Sequence, residues 1–284
     1  MTTSSTDTTV KKLAIIAGGG DLPQILIDSC RQKGIEVFVV AFEGQTDLSI
    51  VKDHYHMIAR LGEAGTIMGT LKSHGFSDIV LIGAMRRPSL GELKPDLKTA
   101  QFFAKLAFKS IGDSTFLTTL REELEGEGFT IHGAHHFIDN ILAEEGALSA
   151  HKPKKSEQDD IAWGFEMSQT LGKMDIGQSV VVQNGVVLGV EAVEGTDALI
   201  DRCGPLKRKG RGPILVKSCK PQQDMDLDLP TIGPETVEKC KANGFSGIVV
   251  HADHTFLVKR DEIRNVADKA KIFVYGMRSS ESQT

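Results

Sequence analysis

Cysteine is sparse and scattered in this chain. Cys30, Cys203, Cys219 and Cys240 form no C-x-x-C pair, so nothing in the sequence supports a zinc ribbon or a disulfide framework, and a reducing compartment fits. Charge of one sign is not in excess either. Lys and Arg number 33 against 38 Asp and Glu, a formal net charge of −5, which gives no electrostatic case for nucleic acid as a partner. No apolar run approaches the roughly 20 residues that span a bilayer. The polar stretch Met1 to Thr9 lacks the basic and apolar regions of a secretory signal, so the cytoplasm is the expected location. Missing as well are a G-x-S-x-G elbow, a Walker A loop and an H-E-x-x-H helix, which leaves a serine hydrolase, a P-loop NTPase and a zincin unsupported.

What remains is an ordinary globular composition, 40% hydrophobic and 25% charged, on 284 residues, a length that suits two domains. The first half alternates strands and helices. Lys12 to Ala17 reads as a strand running into Gly18-Gly19-Gly20-Asp21-Leu22-Pro23 and then a helix from about Gln24 to Lys33. Strands near 37–41, 57–60 and 78–82 and a helix over 63–74 continue the pattern. Such alternation predicts a parallel, doubly wound sheet.

Glycines at the first strand-to-helix turn let backbone N–H groups come close to a phosphate or ribose, and Pro23 suits the first helical position. Gly18-x-Gly20 supplies two glycines of a dinucleotide fingerprint, but Pro23 replaces the third and Asp21 places a negative charge where a pyrophosphate would sit. A mononucleotide or nucleoside site is the better use of this turn; a nicotinamide-dependent oxidoreductase and a nucleotide-sugar sensor stand as alternatives. Ligands on open parallel sheets lie beyond the carboxyl ends of the strands, so Gly83, Ala84, Met85, Arg86 and Arg87, after the strand 78–82, are expected to line the same crevice. Either arginine could grip a phosphate.

Leu97 to Ile111 has the pattern of an amphipathic helix, with Leu97, Phe103, Leu106, Ala107, Phe108 and Ile111 on one side, suited to core packing or to an anionic membrane or acyl chain. Asp113 begins the next helix as a cap. His132, His135 and His136 with Asp139 make a conceivable zinc group, as do His251 and His254, against which capping and surface roles compete.

Residues 144–160 shift to small and charged types and read as a linker. Beyond it, Asn184-Gly185 joins two strands in a hairpin. Glu191, Glu194, Gly195, Thr196 and Asp197 form a glycine loop and helix start able to meet a phosphate or sugar hydroxyl, and a strand over 213–218 delivers Lys217. Then comes the run around which the chain is organised. Asp224, Asp226 and Asp228 recur with period two, so an extended strand would put three carboxylates on one face. Such a face calls for a cation, of which a hard one such as Mg²⁺ is the usual remedy, for a raised carboxyl pKa, or for full solvation. Strands and helices to about Tyr275 complete an α+β domain. The expected fold class is thus α/β: an N-terminal Rossmann-like nucleotide-binding domain over 1–146 and a C-terminal α+β catalytic domain over 147–284, with a ligand cleft between them.

Ile15-Ile-Ala-Gly-Gly-Gly-Asp-Leu-Pro, Gly83-Ala-Met-Arg-Arg-Pro, Gly112-Asp113, Asp175-Ile-Gly-Gln, Val190-Glu-Ala-Val-Glu-Gly-Thr-Asp-Ala and Asp228-Leu-Pro-Thr-Ile-Gly occur in one order. Together they resemble the LpxI-type UDP-2,3-diacylglucosamine pyrophosphatases of Gram-negative lipid A synthesis, over about Lys12 to Met277. The resemblance implies a homodimeric hydrolase, peripheral at the inner face of the inner membrane, acting on a lipid-linked nucleotide. It implies Mg²⁺-dependent attack of water on the α-phosphorus, giving UMP and 2,3-diacylglucosamine 1-phosphate. By motif position it makes Asp228 the essential acid, for metal or water; Asp226, from the same acid run, is the second candidate metal ligand. Lys217 is then catalytic and substrate-binding, with Thr196, Gly19, Gly20, Asp21, Leu22, Gly83, Ala84 and Met85 as further substrate contacts.

Overall fold

The computed structural model describes residues 10–86, 95–107 and 113–279, without the side chains of 106, 107 and 113–115. The chain divides into two compact units. One runs to Asp139 and takes in the short segment Asp224–Asp228; the other holds Asn140–Gln223 and continues from Leu229.

The first unit opens with β1 (Lys12–Ala17), α1 (Leu22–Gln32), β2 (Glu36–Phe42), β3 (Tyr55–Ala59), α2 (Ala64–Ser73) and β4 (Asp78–Ile82). Two further helices, α3 (Leu97–Ala107) and α4 (Asp113–Gly126), lead to β5 (Thr130–Ile131). All pairings in the sheet are parallel, in the order β3-β2-β1-β4-β5. That order follows from composition. β1 and β2 are nearly continuous apolar runs because a central parallel strand is covered on both faces. One face packs Ala14, Phe38, Val40 and Ile79 against Met68, Leu71 and Phe76. Leu13 and Ile15 point the other way and are fully buried, as are Leu26 and Ile27 of α1. On α3 the buried aromatic is Phe102, whereas Leu97, expected inside, is 76% exposed; Phe108 and Ile111 lie outside the described residues.

The second unit is built on a mixed sheet ordered β6-β13-β11-β9-β7-β8. Its strands are β6 (Gly146–Ala147), β7 (Ser179–Gln183), β8 (Val186–Val190), β9 (Ile214–Lys217), β11 (Gly247–His251) and β13 (Phe273–Met277), while β10 (Thr231–Ile232) pairs separately with β12 (Phe256–Leu257). β9, β11 and β13 are parallel; β6, β7 and β8 run against their neighbours. Helices α6 (Gly195–Cys203), α7 (Pro234–Ala242) and α8 (Arg260–Ala270) contribute Leu199, Ile200, Val237 and Ile263 to a core with Leu215, Ile248 and Val274. On the opposite face α5 (Gln158–Lys173) buries Ile161 and Phe165 on Val216, Val249 and Phe273. The hairpin turn at Asn184 and Gly185 has both φ angles positive, 53° and 72°, as a tight two-residue turn needs.

Two expectations about the junction differ from the structure. The compact units part at Asp139 and Asn140 rather than after residue 146, because Gly146 and Ala147 pair with Gly276 and Tyr275 in the second sheet. The start of the supposed linker is therefore sheet structure, with the adjoining Ala143 fully buried and its N–H bonded to Thr255 O.

Candidate active-site residues

At the carboxyl edge of the first sheet, the loops after β1 and β4 are stitched together. Gly18 N–H donates to Ile82 O (2.8 Å), Gly19 N–H to Ala84 O (2.8 Å) and Ala84 N–H to Gly19 O (3.0 Å). Side chains would prevent this approach. A Cβ on Gly18 would lie 2.6 Å from Ala84 O, and one on Gly83, whose φ is +98°, 2.7 Å from Gly19 O. Here the strand order reverses, and a doubly wound sheet opens its crevice at such a point. Gly19, Gly20, Asp21, Leu22, Gly83, Ala84 and Met85 are thus brought together, with Gly20, Asp21, Ala84 and Met85 exposed. The loop after β2 joins them: Gln45 Nε2 donates to Arg86 O (3.1 Å) and its Oε1 accepts from Arg86 N–H (3.0 Å). Nothing in the sequence singled out Gln45. Arg87 falls outside the described residues.

The acid run is not a strand. Leu227 N–H and Asp228 N–H both donate to Asp224 O, at 3.2 and 3.0 Å, so Asp224–Asp228 is a single coiled turn with Leu227 buried. The period-two alternation read as extended structure is overridden by Arg121 of α4. Its Nε donates to Asp224 Oδ2 (2.6 Å), its Nη2 to Asp224 Oδ1 (2.8 Å) and Asp226 Oδ2 (3.1 Å), and its Nη1 to Glu125 Oε1 (3.0 Å). Burial works against the guanidinium's charge, but these carboxylates more than offset it and hold its pKa above the ordinary value. The remaining oxygen of Asp226 faces His136 Nε2 at 3.6 Å, with His135 beside it. Burial, and then His136, pushes the His135 pKa down. Asp228 is exposed. Of the histidine group read from the sequence, His132 pairs with Asp78 (2.7 Å) and Asp139 with Lys33 (2.8 Å).

In the second unit Lys217 ends β9 and is buried. Its Nζ donates to Thr196 Oγ1 (3.1 Å) and Thr231 O (3.0 Å). Thr196 lies in the first turn of α6 and its hydroxyl donates to Glu191 Oε1 (2.6 Å), while Gln178 N–H holds the other oxygen of that buried carboxylate (3.1 Å). Lys217, Thr196 and Glu191 therefore form one chain of polar contacts at the carboxyl end of a parallel strand. Lys217 pairs with Val250 of β11, and the next residue of that strand, His251, is stacked on His254 with ring centroids 4.3 Å apart.

Two family models match, the LpxI N-terminal domain over residues 12–141 and the LpxI C-terminal domain over 144–275. The chain belongs to the LpxI family. A curated member, "UDP-2,3-diacylglucosamine pyrophosphatase LpxI" of Caulobacter vibrioides, is 34% identical over 280 residues, covering 96% of this chain and 99% of the relative. Among solved structures, the Bordetella bronchiseptica enzyme WbmG in complex with NAD is 14% identical, over 43% of this chain and 36% of that one, with a TM-score of 0.29. A short-chain dehydrogenase family protein of Francisella tularensis is 12% identical, over 58% and 65%, with a TM-score of 0.25. Likeness that slight carries no argument about nicotinamide or any other ligand.

The metal expected for an LpxI-type chain can be tested against these residues. Mg²⁺ takes oxygen ligands and is commonly held by one or two carboxylates together with substrate phosphates. Asp228, exposed at the end of its turn, fits that description. Asp226 is placed differently, with one oxygen on Arg121 and the other facing imidazole nitrogen. Among the described residues no helix is long and apolar enough to cross a membrane.

Proposed function

We propose that this chain is a pyrophosphatase hydrolysing UDP-2,3-diacylglucosamine to UMP and 2,3-diacylglucosamine 1-phosphate, a step of lipid A biosynthesis. The observation that carries the reading is the end-to-end relation to a pyrophosphatase of that name. Water oxygen bonds to the α-phosphorus, the bond from that phosphorus to the bridging oxygen breaks, and the β-phosphate leaves with the sugar.

The turn Gly19–Leu22 with Gly83–Met85 would take the nucleotide, and the charge of Asp21 favours hydroxyl groups of a ribose there over a pyrophosphate. Lys217 would neutralise charge building on the phosphate oxygens, positioned by Thr196 and, through it, by Glu191. Mg²⁺ bound through Asp228 would supply further positive charge to the phosphates. We further propose a homodimer working peripherally at the cytoplasmic face of the membrane that holds its lipid substrate.

Incubation of the purified protein with UDP-2,3-diacylglucosamine and Mg²⁺ in ¹⁸O-labelled water tests the reading. UMP carrying the label is expected. Label in the sugar phosphate would move the attack to the β-phosphorus, and no UMP over hours would leave a binding protein instead of an enzyme.

A further inference from the structure

We infer that His135, His136 and Asp226 form a binding site for a divalent transition metal of the zinc type, separate in its chemistry from a magnesium requirement. One ligand atom from each lies within 4.8 Å of the other two, and His136 Nε2 is 3.6 Å from Asp226 Oδ1. Tetrahedral zinc with bonds of about 2.0–2.1 Å spaces its ligand atoms by roughly 3.3 Å, so modest side-chain rotation closes the set. Two imidazoles and one carboxylate are a donor set for zinc, cobalt or nickel rather than for magnesium, and they leave a fourth position for water.

Three further observations point at the same place. His135 Nδ1 is buried and has no hydrogen-bond partner among the described residues, an expensive arrangement for a polar atom unless something else meets it. Gly133 makes the convergence possible: a Cβ there would lie 2.5 Å from His135 Nδ1 and 2.8 Å from Asp226 Oδ1. The charge balance also asks for a cation. Among the described residues Arg121 alone faces Asp224, Asp226 and Glu125 as a fixed cation, so with neutral imidazoles two negative charges are in excess there. Arg121 does not occupy the site, because its two shortest contacts go to Asp224 and its contact to Asp226 is on the oxygen turned away from His136. The competing use of the same atoms is an ion pair of protonated His136 with Asp226.

The test is independent of hydrolysis and uses the full chain without substrate. Zn²⁺ is titrated against a chromophoric chelator with Mg²⁺ in excess, and Co²⁺ binding is followed by its visible absorption. One equivalent is expected, at least tenfold weaker in His135→Ala, His136→Ala and Gly133→Ala, and unchanged in His74→Ala. Equal binding in all four variants would reduce the site to adventitious surface chelation, and no binding by the wild type would overturn it. Should the variants fold poorly, carbethoxylation of the wild type decides. Zn²⁺ is expected to protect His135 and His136 but not His74, and equal modification of all three would refute the site.

Discussion

Arg121 grips Asp224 as a fork, Nε to Oδ2 at 2.6 Å and Nη2 to Oδ1 at 2.8 Å, across 103 residues of sequence. Both side chains are mostly buried, at 22% and 27% exposure, so the pair is not a screened surface contact. Charge-assisted, bidentate hydrogen bonds of this kind contribute about 1–3 kcal/mol. Arg121→Met is therefore expected to destabilise the first unit by about that much, measured by urea unfolding. Arg121→Lys should recover little, because an ammonium cannot reproduce the planar fork.

That relationship also marks where the sequence stops being legible. The glycine turn after β1 and its convergence with Gly83–Met85 follow from local signals: an apolar run, a glycine cluster, a proline at a helix start and the geometry of parallel sheets. The shape of Asp224–Asp228 does not, because its deciding partner lies on a distant helix and leaves no local mark. Alternating Asp with Met and Leu satisfies a strand and a tight turn with one buried Leu equally well. The histidines fail for the same reason. His132 and Asp139 stand beside His135 and His136 in sequence, yet their partners are Asp78 and Lys33, while Asp226 comes from far along the chain. Gln45, which ties the β2 loop to Arg86, looks in sequence like any polar loop residue.

Two glycines of the crevice should respond differently to alanine. Gly20 has φ +87° and nothing within 4 Å of an added Cβ, so Gly20→Ala meets only backbone strain, about 1–2 kcal/mol. Gly83 has φ +98° and would also press a Cβ to 2.7 Å from Gly19 O and 3.0 Å from the Gly18 carbonyl carbon. Gly83→Ala should therefore cost clearly more than Gly20→Ala and loosen the Gly19 to Ala84 bridge. Paired melting curves check the order, and equal losses would mean that the loops can spread without cost.

Asp228→Asn tests the proposed chemistry while keeping the size of the side chain. The turn is held through the backbone N–H of Asp228 and the carbonyl of Asp224, neither of which the substitution removes. A melting curve of the variant is taken beside the turnover assay, so that any loss of fold is separated from loss of chemistry. Turnover of UDP-2,3-diacylglucosamine should fall by at least about a hundredfold with substrate binding retained. Near-normal turnover at saturating Mg²⁺ would remove Asp228 from the proposed chemistry.

His251 gives the second unit an acid-labile element. Burial, and then the neighbouring His254, pushes its pKa down to about 4, and its Nδ1 has no hydrogen-bond partner among the described residues. The folded protein therefore holds this imidazole neutral, while an unfolded chain protonates it near pH 6.5. Below that value the unfolded state binds more protons, so stability is full above about pH 6.5 and declines as pH falls toward 4. Screening by solvent limits the effect to about 1–3 kcal/mol. In His251→Gln this part of the decline should vanish. Urea midpoints at pH 7, 5.5 and 4.5 for the two proteins are expected to differ in slope, and parallel slopes would show that His251 takes up its proton without loss of structure. His135, also pushed down by burial, contributes in the same direction within the first unit. The comparison must therefore be made between proteins differing only at His251, so that the first-unit contribution cancels.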